Sequence, residues 1–181
     1  LSIHHNKNDL LNCKNETFLT LTNSNLHHSE ESAISVTDHS RIEISKCQFS
    51  DTELSLFFCD ESACSIKDST FTNSNANGIN IFSTSDFIIE NNEFSKMVKG
   101  ISINDDSCGT INKNTIYDVS IHGIFCGNSS DVLITNNTIH HTTFPAIYIG
   151  MKSAASIKGN KISHLKSNGI AARFAQHVEI E

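Results

Sequence analysis

Carboxylate side chains recur in this sequence at intervals that would bring them together if the chain were wound with a fixed period. Asp60 and Asp105 are 45 residues apart, and Asp106 follows directly. Two carboxylates in one groove are the minimum for glycoside hydrolysis, where one acts as acid and the other as base or nucleophile. Asp60, Asp105 and Asp106 are therefore candidate catalytic residues. The competing interpretation is that tight turns select Asp whether or not anything binds there.

A second group of titratable residues is rich in histidine. Asp118, His141 and His164 follow one another at intervals of 23 residues, and His140 precedes His141. If one winding separates them, their side chains can converge into a group suited to proton transfer or to a divalent metal ion. Ten histidines in 181 residues also favour such coincidences by chance, so solvated turn residues are the alternative.

Aromatic and amide side chains form a third group with the same spacing. Phe125 and Tyr148 are 23 residues apart, and we expect their rings to form a flat platform on which a sugar could stack. The candidate substrate-binding residues are Phe57, Phe82, Phe125, Tyr148, Asn80 and Asn104. The alternative is that a long loop elsewhere in the protein covers these rings.

The elements that would position these residues follow from an internal repeat. One apolar position per repeat serves as an anchor, and successive anchors are 22 or 23 residues apart: Ile3, Leu26, Phe49, Phe71, Phe94, Ile116, Ile139 and Ile162. Apolar-x-apolar triplets begin fifteen and seven residues before the anchors. Each triplet predicts a short strand with two side chains inward and one outward.

One such winding cannot bury its own apolar face, so the windings must stack with parallel strands about 4.8 Å apart. The sequence therefore predicts an all-β solenoid of about eight coils, each of 22–23 residues with three short strands. We expect residues 1–181 to form a single domain. Because the pattern is still in register at Ile180 and no cap is visible, we expect an excerpt of a longer solenoid that lacks both caps.

A polar position precedes each anchor by two residues. It holds Ser24, Cys47, Ser69, Asn92, Asn114, Asn137 and Asn160. Inward-facing Asn residues can adopt the left-handed turn conformation and hydrogen-bond to each other along the stack, so we predict an asparagine ladder.

In the segments around the ladder asparagines the sequence resembles the right-handed parallel β-helix repeat family. This is the pectin-lyase-like group, which includes pectate lyases and polygalacturonases. The segments 88–94 (IIENNEF) and 132–139 (VLITNNTI) carry the resemblance. The resemblance implies right-handed coiling, which the period alone does not fix. It also implies that a substrate would lie along the sheet formed by the first strand of each coil.

The sequence departs from the enzymes of this family in several motifs. Polygalacturonase-like hydrolases carry an Asp pair, a Gly-His-Gly and an Arg-x-Lys on neighbouring coils. Here the Asp105–Asp106 pair is present, His122 lies in an Ile-His-Gly that precedes its strand, and the Arg-x-Lys is missing. Few cations flank the first sheet, which disfavours a uronate lyase.

The charge and the cysteine content argue against several classes of partner and cofactor. The net charge of −7 argues against nucleic acid, anionic membrane surfaces and polyuronates, which require clustered Lys and Arg. No apolar run is long enough to cross a bilayer. Cys13 and Cys126 share a column but lie five coils apart, too far to bond, and we expect all six cysteines to be free. We expect no cofactor; no Cys-x-x-Cys supports zinc, and calcium stays an unsupported alternative.

Three functions remain open. The favoured hypothesis is a binding or structural module that contacts a glycan or a protein along the outward face of one parallel sheet, because short turns leave that face nearly flat. The second is a polysaccharide hydrolase or lyase with an Asp-based site. The third is an intracellular substrate-recognition scaffold, so the compartment stays open, with an extracellular or cell-surface location slightly favoured.

Overall fold

Three stacks of short parallel strands run along the molecule in this computed structural model, which describes residues 1–83 and 85–181. Strands are numbered along the chain. The first stack contains β2 (Leu11–Cys13), the second halves of β4 (Asn25–Val36) and β6 (Gln48–Phe58), β9 (Asn77–Ile81), β12 (Lys99–Ile103), β15 (Ile124–Cys126), β18 (Ile147–Gly150) and β21 (Ile170–Arg173).

The other two stacks complete each coil. The second contains β3 (Phe18–Thr22), β5 (Arg41–Ser45), β7 (Ala63–Lys67), β10 (Asp86–Glu90), β13 (Cys108–Asn112), β16 (Asp131–Thr135), β19 (Ala154–Lys158) and β22 (His177–Ile180). The third contains β1 (Ser2–Asn6), the first halves of β4 and β6, β8 (Thr70–Ser74), β11 (Glu93–Met97), β14 (Thr115–Val119), β17 (Thr138–Thr142) and β20 (Lys161–Ser163).

The register of the strands confirms the predicted repeat. Each anchor pairs with the anchor of the next coil, from Ile3 with Leu26 to Ile139 with Ile162. The triplets pair in the same way, for example Leu11 with Ile34 in the first stack and Leu19 with Ile42 in the second. Equivalent side chains therefore lie directly above one another, and the fold is an all-β parallel solenoid of about eight coils.

Two coils differ from the expected three separate strands. In β4 and β6 the third strand of one coil continues into the first strand of the next, so these elements have 12 and 11 residues. Their corners contain Ala33 and Ser55 at the position that holds Gly78, Gly100 and Gly123 in later coils. The longer strands join the first and third stacks into one 14-stranded sheet.

The core is built from columns of identical or similar apolar side chains. Phe49, Phe71 and Phe94 are fully buried, and their rings stack in parallel with centroids 4.7 Å apart at both steps. This distance matches the spacing of adjacent strands, so the backbone itself sets the ring stacking. Burial of these columns is the main source of stability.

The asparagine ladder is present and satisfies a buried row of polar groups. Asn114 accepts a hydrogen bond from the backbone N–H of Asn92 through Oδ1 (2.9 Å) and donates through Nδ2 to the carbonyl of Ile89 (2.9 Å). Asn137 repeats the pattern one coil further on, accepting from the Asn114 N–H and donating to the Ile111 carbonyl. The ladder thus ties each coil to both neighbours.

We expected the ladder Asn itself to adopt the left-handed conformation. In the structure the residue before it does so. Asn91, Lys113 and Asn136 have φ of 54°, 55° and 56°. This conformation turns the chain so that the following Asn points inward. Since Lys113 also adopts it, the ladder depends on the hydrogen bonds of the inward amide and not on a preference for Asn at the left-handed position.

A second polar ladder follows the first stack and was not predicted. It consists of the buried hydroxyls of Ser40, Ser62, Ser85, Ser107, Ser130 and Ser153. Ser62 Oγ lies 3.3 Å from Ser85 Oγ, and Ser130 Oγ donates to Ser153 Oγ at 3.2 Å. Among the described residues, every buried side-chain N or O atom has a hydrogen-bond partner. The 22- to 23-residue spacing of these serines was the signal that identifies the column.

Candidate functional site

The outward face of the first stack contains the predicted substrate-binding residues. Phe57 pairs with Asn80, and further along the stack Phe125 pairs with Tyr148. All four are partly exposed. Phe57 and Phe82 approach with centroids 5.9 Å apart at a tilt of 43°. The solenoid therefore has one aromatic pair near its middle and a second one nearer its C-terminal end.

Phe125 and Tyr148 stack face to face and do not form the expected flat platform. Their rings are nearly parallel, at 3°, with centroids 5.4 Å apart. Rings lying side by side in one plane would need a larger separation, so each ring covers one face of the other. The next position in the column is Ala171, which is too small to cover the other face of Tyr148. The column therefore places no aromatic side chain against Tyr148 on the side of Ala171.

Two glycines allow these rings to lie close to the strand ends. A Cβ atom on Gly127 would lie 2.8 Å from the Phe125 ring, and one on Gly150 would lie 2.8 Å from the Tyr148 ring. Both distances are shorter than van der Waals contact. A larger residue at either glycine would push the neighbouring ring out of the stack, so these glycines set the position of the aromatic pair.

His122 belongs to this cluster, although its sequence context indicates only an incomplete Gly-His-Gly motif. Its ring lies 5.1 Å from that of Tyr148 and 5.9 Å from that of Phe125, and Phe144 contacts it edge-on. Nδ1 lies 2.7 Å from the carbonyl oxygen of Pro145. Because a carbonyl only accepts, Nδ1 carries the proton and Nε2 of the neutral ring keeps its lone pair. The sequence feature that could have identified His122 is its position three residues before Phe125, whose side chain points outward.

Burial governs the charge of the cluster. Desolvation lowers the pKa of His122, while the hydrogen bond to Pro145 opposes this and the nearby Lys99 ammonium adds to it. His122 is therefore neutral near pH 7. Lys99 lies one coil away, with Nζ 4.4 Å from the centroid of Phe125, and burial lowers its pKa too. An ammonium over a ring face is a cation–π contact that holds Lys99 at the edge of the aromatic pair.

Amide side chains extend the surface on the side of the earlier coils. Asn77 Nδ2 donates to Asn80 Oδ1 at 2.7 Å. Asn104 is nearly buried and donates to Ser102 Oγ at 3.3 Å. These amides lie between the two aromatic pairs and keep unused donors and acceptors that a saccharide hydroxyl can contact.

The candidate catalytic carboxylates lie in the turn after the first stack. Asp60, Asp105 and Asp106 all have positive φ, from 54° to 59°, so the turn itself requires residues that tolerate the left-handed conformation. Asp105 Oδ1 accepts a hydrogen bond from Asn128 Nδ2 at 3.1 Å. Asp60 Oδ2 accepts one from the Cys59 thiol at 3.2 Å.

The histidine group stacks along the third stack. His141 lies 5.1 Å from His164, ring to ring, and His140 lies 5.2 Å from Tyr117. Nδ1 of His140 is 2.7 Å from Nδ1 of His141. Burial and the positive potential of His141 lower the pKa of His140, although Asp118 opposes this. The imidazoles of His140, His141 and His164 therefore lie next to one another, and Asp118 is near enough to act on His140.

The cysteines of the described residues are unsuited to nucleophilic chemistry at neutral pH. The six thiols are free. Burial and the Asp60 carboxylate raise the pKa of Cys59 to about 11, and the hydrogen bond to Asp86 does the same for Cys108. Neither thiol is a nucleophile at neutral pH. Within residues 1–83 and 85–181, no three His, Cys, Asp or Glu side chains are arranged to surround a metal ion, and no helix could span a membrane.

A depression of about 490 Å³ lies on the second stack and contains none of the candidate residues. It is open, and its lining includes Gly109, where a Cβ atom would lie 2.8 Å from the Phe87 ring, so that ring occupies the space of the missing side chain. The candidate site residues therefore lie outside this depression.

Comparison with protein families decides the architecture. The model of the right-handed β-helix region matches residues 9–127 and, in a second overlapping match, residues 99–181. The chain belongs to the right-handed β-helix family. The right-handed coiling implied by the resemblance is thereby confirmed, as is the assignment to a parallel β-helix.

Two solved structures are similar to this chain at low TM-scores. The A-module of the mannuronan C-5 epimerase AlgE6 from Azotobacter vinelandii is 9% identical, with a TM-score of 0.47 over 99% of this chain and 87% of that one. A double mutant of the periplasmic alginate epimerase AlgG is 11% identical, with a TM-score of 0.30 over 100% of this chain and 77% of that one. Both likenesses concern the fold alone. No curated protein matches the sequence.

Proposed function

We propose that this right-handed β-helix is a glycan-binding module that contacts a saccharide along the outward face of its first stack. The observation that carries the proposal is the cluster of Phe125, Tyr148 and His122 on the outward face, where the small Ala171 is the next residue of the column after Tyr148. Sugar rings present apolar C–H faces that pack on aromatic rings, while their hydroxyls need hydrogen-bond partners at the edges. The cluster and its neighbouring amides offer both.

The shape of the surface favours binding over catalysis. Short turns flank the first stack, so a polysaccharide can lie across several coils without entering a deep pocket. From Phe57 to Phe125 the chain makes three strand steps, on the order of 14 Å. A ligand of several sugar units would therefore reach from one aromatic pair to the other, across Asn80 and Asn104.

Charge favours a neutral saccharide as the ligand. The chain carries a net charge of −7, and the Lys99 ammonium lies 4.4 Å from the centroid of the Phe125 ring. This ammonium is partly buried against Phe125 and is thus a poor partner for a row of carboxylates. A polyuronate would require several cations along the strand direction.

We expect Tyr148→Ala and Phe125→Ala each to weaken binding to neutral polysaccharides by roughly tenfold, since loss of an aromatic anchor costs about 1.4 kcal/mol or more. Affinity electrophoresis against soluble plant, algal and microbial polysaccharides measures this effect. Phe18→Ala is the matched control, because Phe18 is 59% exposed on the second stack. Retardation by none of the polysaccharides, or equal loss in the control, contradicts the proposal.

The alternative is a polysaccharide hydrolase that uses Asp60, Asp105 and Asp106. It is favoured by the spacing of Asp60 and Asp105, two coils or about 9–10 Å apart along the stack, which leaves room for a water molecule in inverting hydrolysis. A binding module is expected to release no reducing ends from the same polysaccharides. Release that falls by about a hundredfold or more in Asp105→Ala would instead establish the hydrolase.

A further inference from the structure

Three His-His dipeptides occupy equivalent positions in the third stack. The sequence pattern had pointed only to the last of them, His140–His141. The three dipeptides are His4–His5, His27–His28 and His140–His141. In each, the first His follows an inward anchor and the second has a positive φ, between 55° and 60°. In an ordinary strand successive side chains point to opposite faces, but the left-handed residue turns the second imidazole outward beside the first.

The two pairs on the first two coils are stacked on each other. His4 lies 4.8 Å from His27 with rings 19° apart, and His5 lies 4.7 Å from His28 with rings 11° apart. Both pairs are outward, and His4, His5 and His28 are exposed. Four imidazoles are therefore concentrated in one patch that plays no part in the proposed glycan surface, which lies on the first stack.

Within each pair the Nδ1 atoms face each other. The Nδ1–Nδ1 distance is 2.6 Å in His4–His5 and 2.6 Å in His27–His28. In the neutral state one proton is shared between the two nitrogens, so one ring is protonated on Nδ1 and the other on Nε2. If the proton on Nδ1 moves to Nε2 of the same ring, both Nδ1 atoms have a free lone pair. The two lone pairs then face the space between the two rings.

This spacing fits a bidentate metal chelate of a particular geometry. Two nitrogens bound to one ion at about 2.0–2.1 Å are about 2.9 Å apart when the bonds form a right angle and about 3.3 Å apart in a tetrahedral site. The observed 2.6 Å is shorter than both values and differs less from the first, by about 0.3 Å, so a small rotation of the rings would reach the right-angle geometry. Right-angle nitrogen coordination is typical of Ni²⁺ and Cu²⁺, whereas Zn²⁺ prefers the tetrahedral arrangement.

The surroundings are suited to a cation. Asp51 occupies the next position of the His5–His28 column, so its carboxylate lies beside the imidazole of His28. His28, Asp51, Glu30 and Lys7 line one open depression of about 390 Å³. The two carboxylates outnumber the one ammonium there, and the depression has room for water ligands.

We propose that the His4–His5 and His27–His28 pairs are bidentate imidazole chelates for a divalent transition-metal ion of the nickel and copper class, with water completing the coordination. A pair supplies two ligands, in keeping with the lack of any three-residue metal arrangement in the described residues. The His140–His141 pair, at 2.7 Å, has the same geometry but is stacked only on the single His164. It is the weaker site of the three.

Titration of untagged protein with NiCl₂ by calorimetry tests the proposal. The variant His4→Ser/His5→Asn/His27→Ser/His28→Asn installs residue types that the same columns already hold, such as Ser50 and Asn73. It should therefore fold, which circular dichroism checks. We expect its nickel affinity to fall by roughly tenfold or more, and binding by wild-type protein to be tighter for Ni²⁺ than for Zn²⁺.

The matched control is His39→Asn/His177→Ser, which removes two histidines outside the pairs and is expected to bind nickel like the wild type. The proposal is overturned if the four-residue variant binds nickel as tightly as the wild type. It is also overturned if the control loses as much affinity, or if Zn²⁺ binds the wild type more tightly than Ni²⁺. Because glycan binding involves another stack, its outcome is independent of these results.

Discussion

Replacing Phe71 with alanine is expected to lower the free energy of unfolding by about 3–5 kcal/mol. Phe71 is fully buried and is the central ring of three, stacked at 4.7 Å on both Phe49 and Phe94. The deletion leaves a cavity between two parallel rings that the strand spacing holds apart, so the site cannot collapse to fill it. Urea unfolding followed by circular dichroism measures the change.

Phe18 provides the comparison for this result. It is also an aromatic residue in a strand, but 59% of it is exposed, and Phe18→Ala is expected to change the free energy of unfolding by less than about 1 kcal/mol. Similar values for the two variants would mean that the phenylalanine column is not the packed core described here. The Phe94→Ala variant, whose ring stacks on only one other Phe, is expected to fall at or below the Phe71 value.

Replacing Asn114 with leucine is expected to cost about 2–4 kcal/mol, although the side chains are similar in size. The change removes the acceptor of the Asn92 N–H and the side-chain donor to the Ile89 carbonyl, both in a buried ladder. A buried polar group without a partner costs about 1–3 kcal/mol. The same unfolding measurement applies.

Two further variants separate hydrogen bonding from packing at this position. Asn114→Ser is expected to cost less than Asn114→Leu, since Ser69 already fills the column and its Oγ accepts from the Cys47 N–H at 3.1 Å. Asn25→Leu, at an exposed strand position, is expected to stay within about 0.5 kcal/mol of the wild type. If Asn114→Leu were as stable as the wild type, the ladder would contribute nothing to stability.

The repeat made the register predictable because a solenoid reduces the fold to one dimension. Once the anchors from Ile3 to Ile162 are aligned, every other residue has a fixed column, and parallel pairing follows. The asparagine ladder followed from the same alignment. The serine ladder could have been predicted in the same way, since Ser62 and Ser85 follow the same period. It was missed because serines in turns are usually exposed, whereas these are buried.

The orientation of neighbouring side chains was harder to predict than the fact that they are neighbours. The sequence indicated that Phe125 and Tyr148 would be adjacent, but not that their rings would stack face to face, which depends on the space above Gly127 and Gly150. The His-His pairs show the same limit. An alternating strand would separate consecutive side chains, and only the positive φ of the second residue, as in His28, brings both imidazoles to one face.

The amino-acid sequence by itself determined the coil length, the three strands per coil and the contents of each column, because burial of a periodic apolar pattern permits only one stacking register. The tertiary structure decided where His122 and Lys99 lie relative to the aromatic pair and which residue of each turn is left-handed. Those features depend on how each turn bends and which rotamer its side chains adopt, and period alone places no constraint on either.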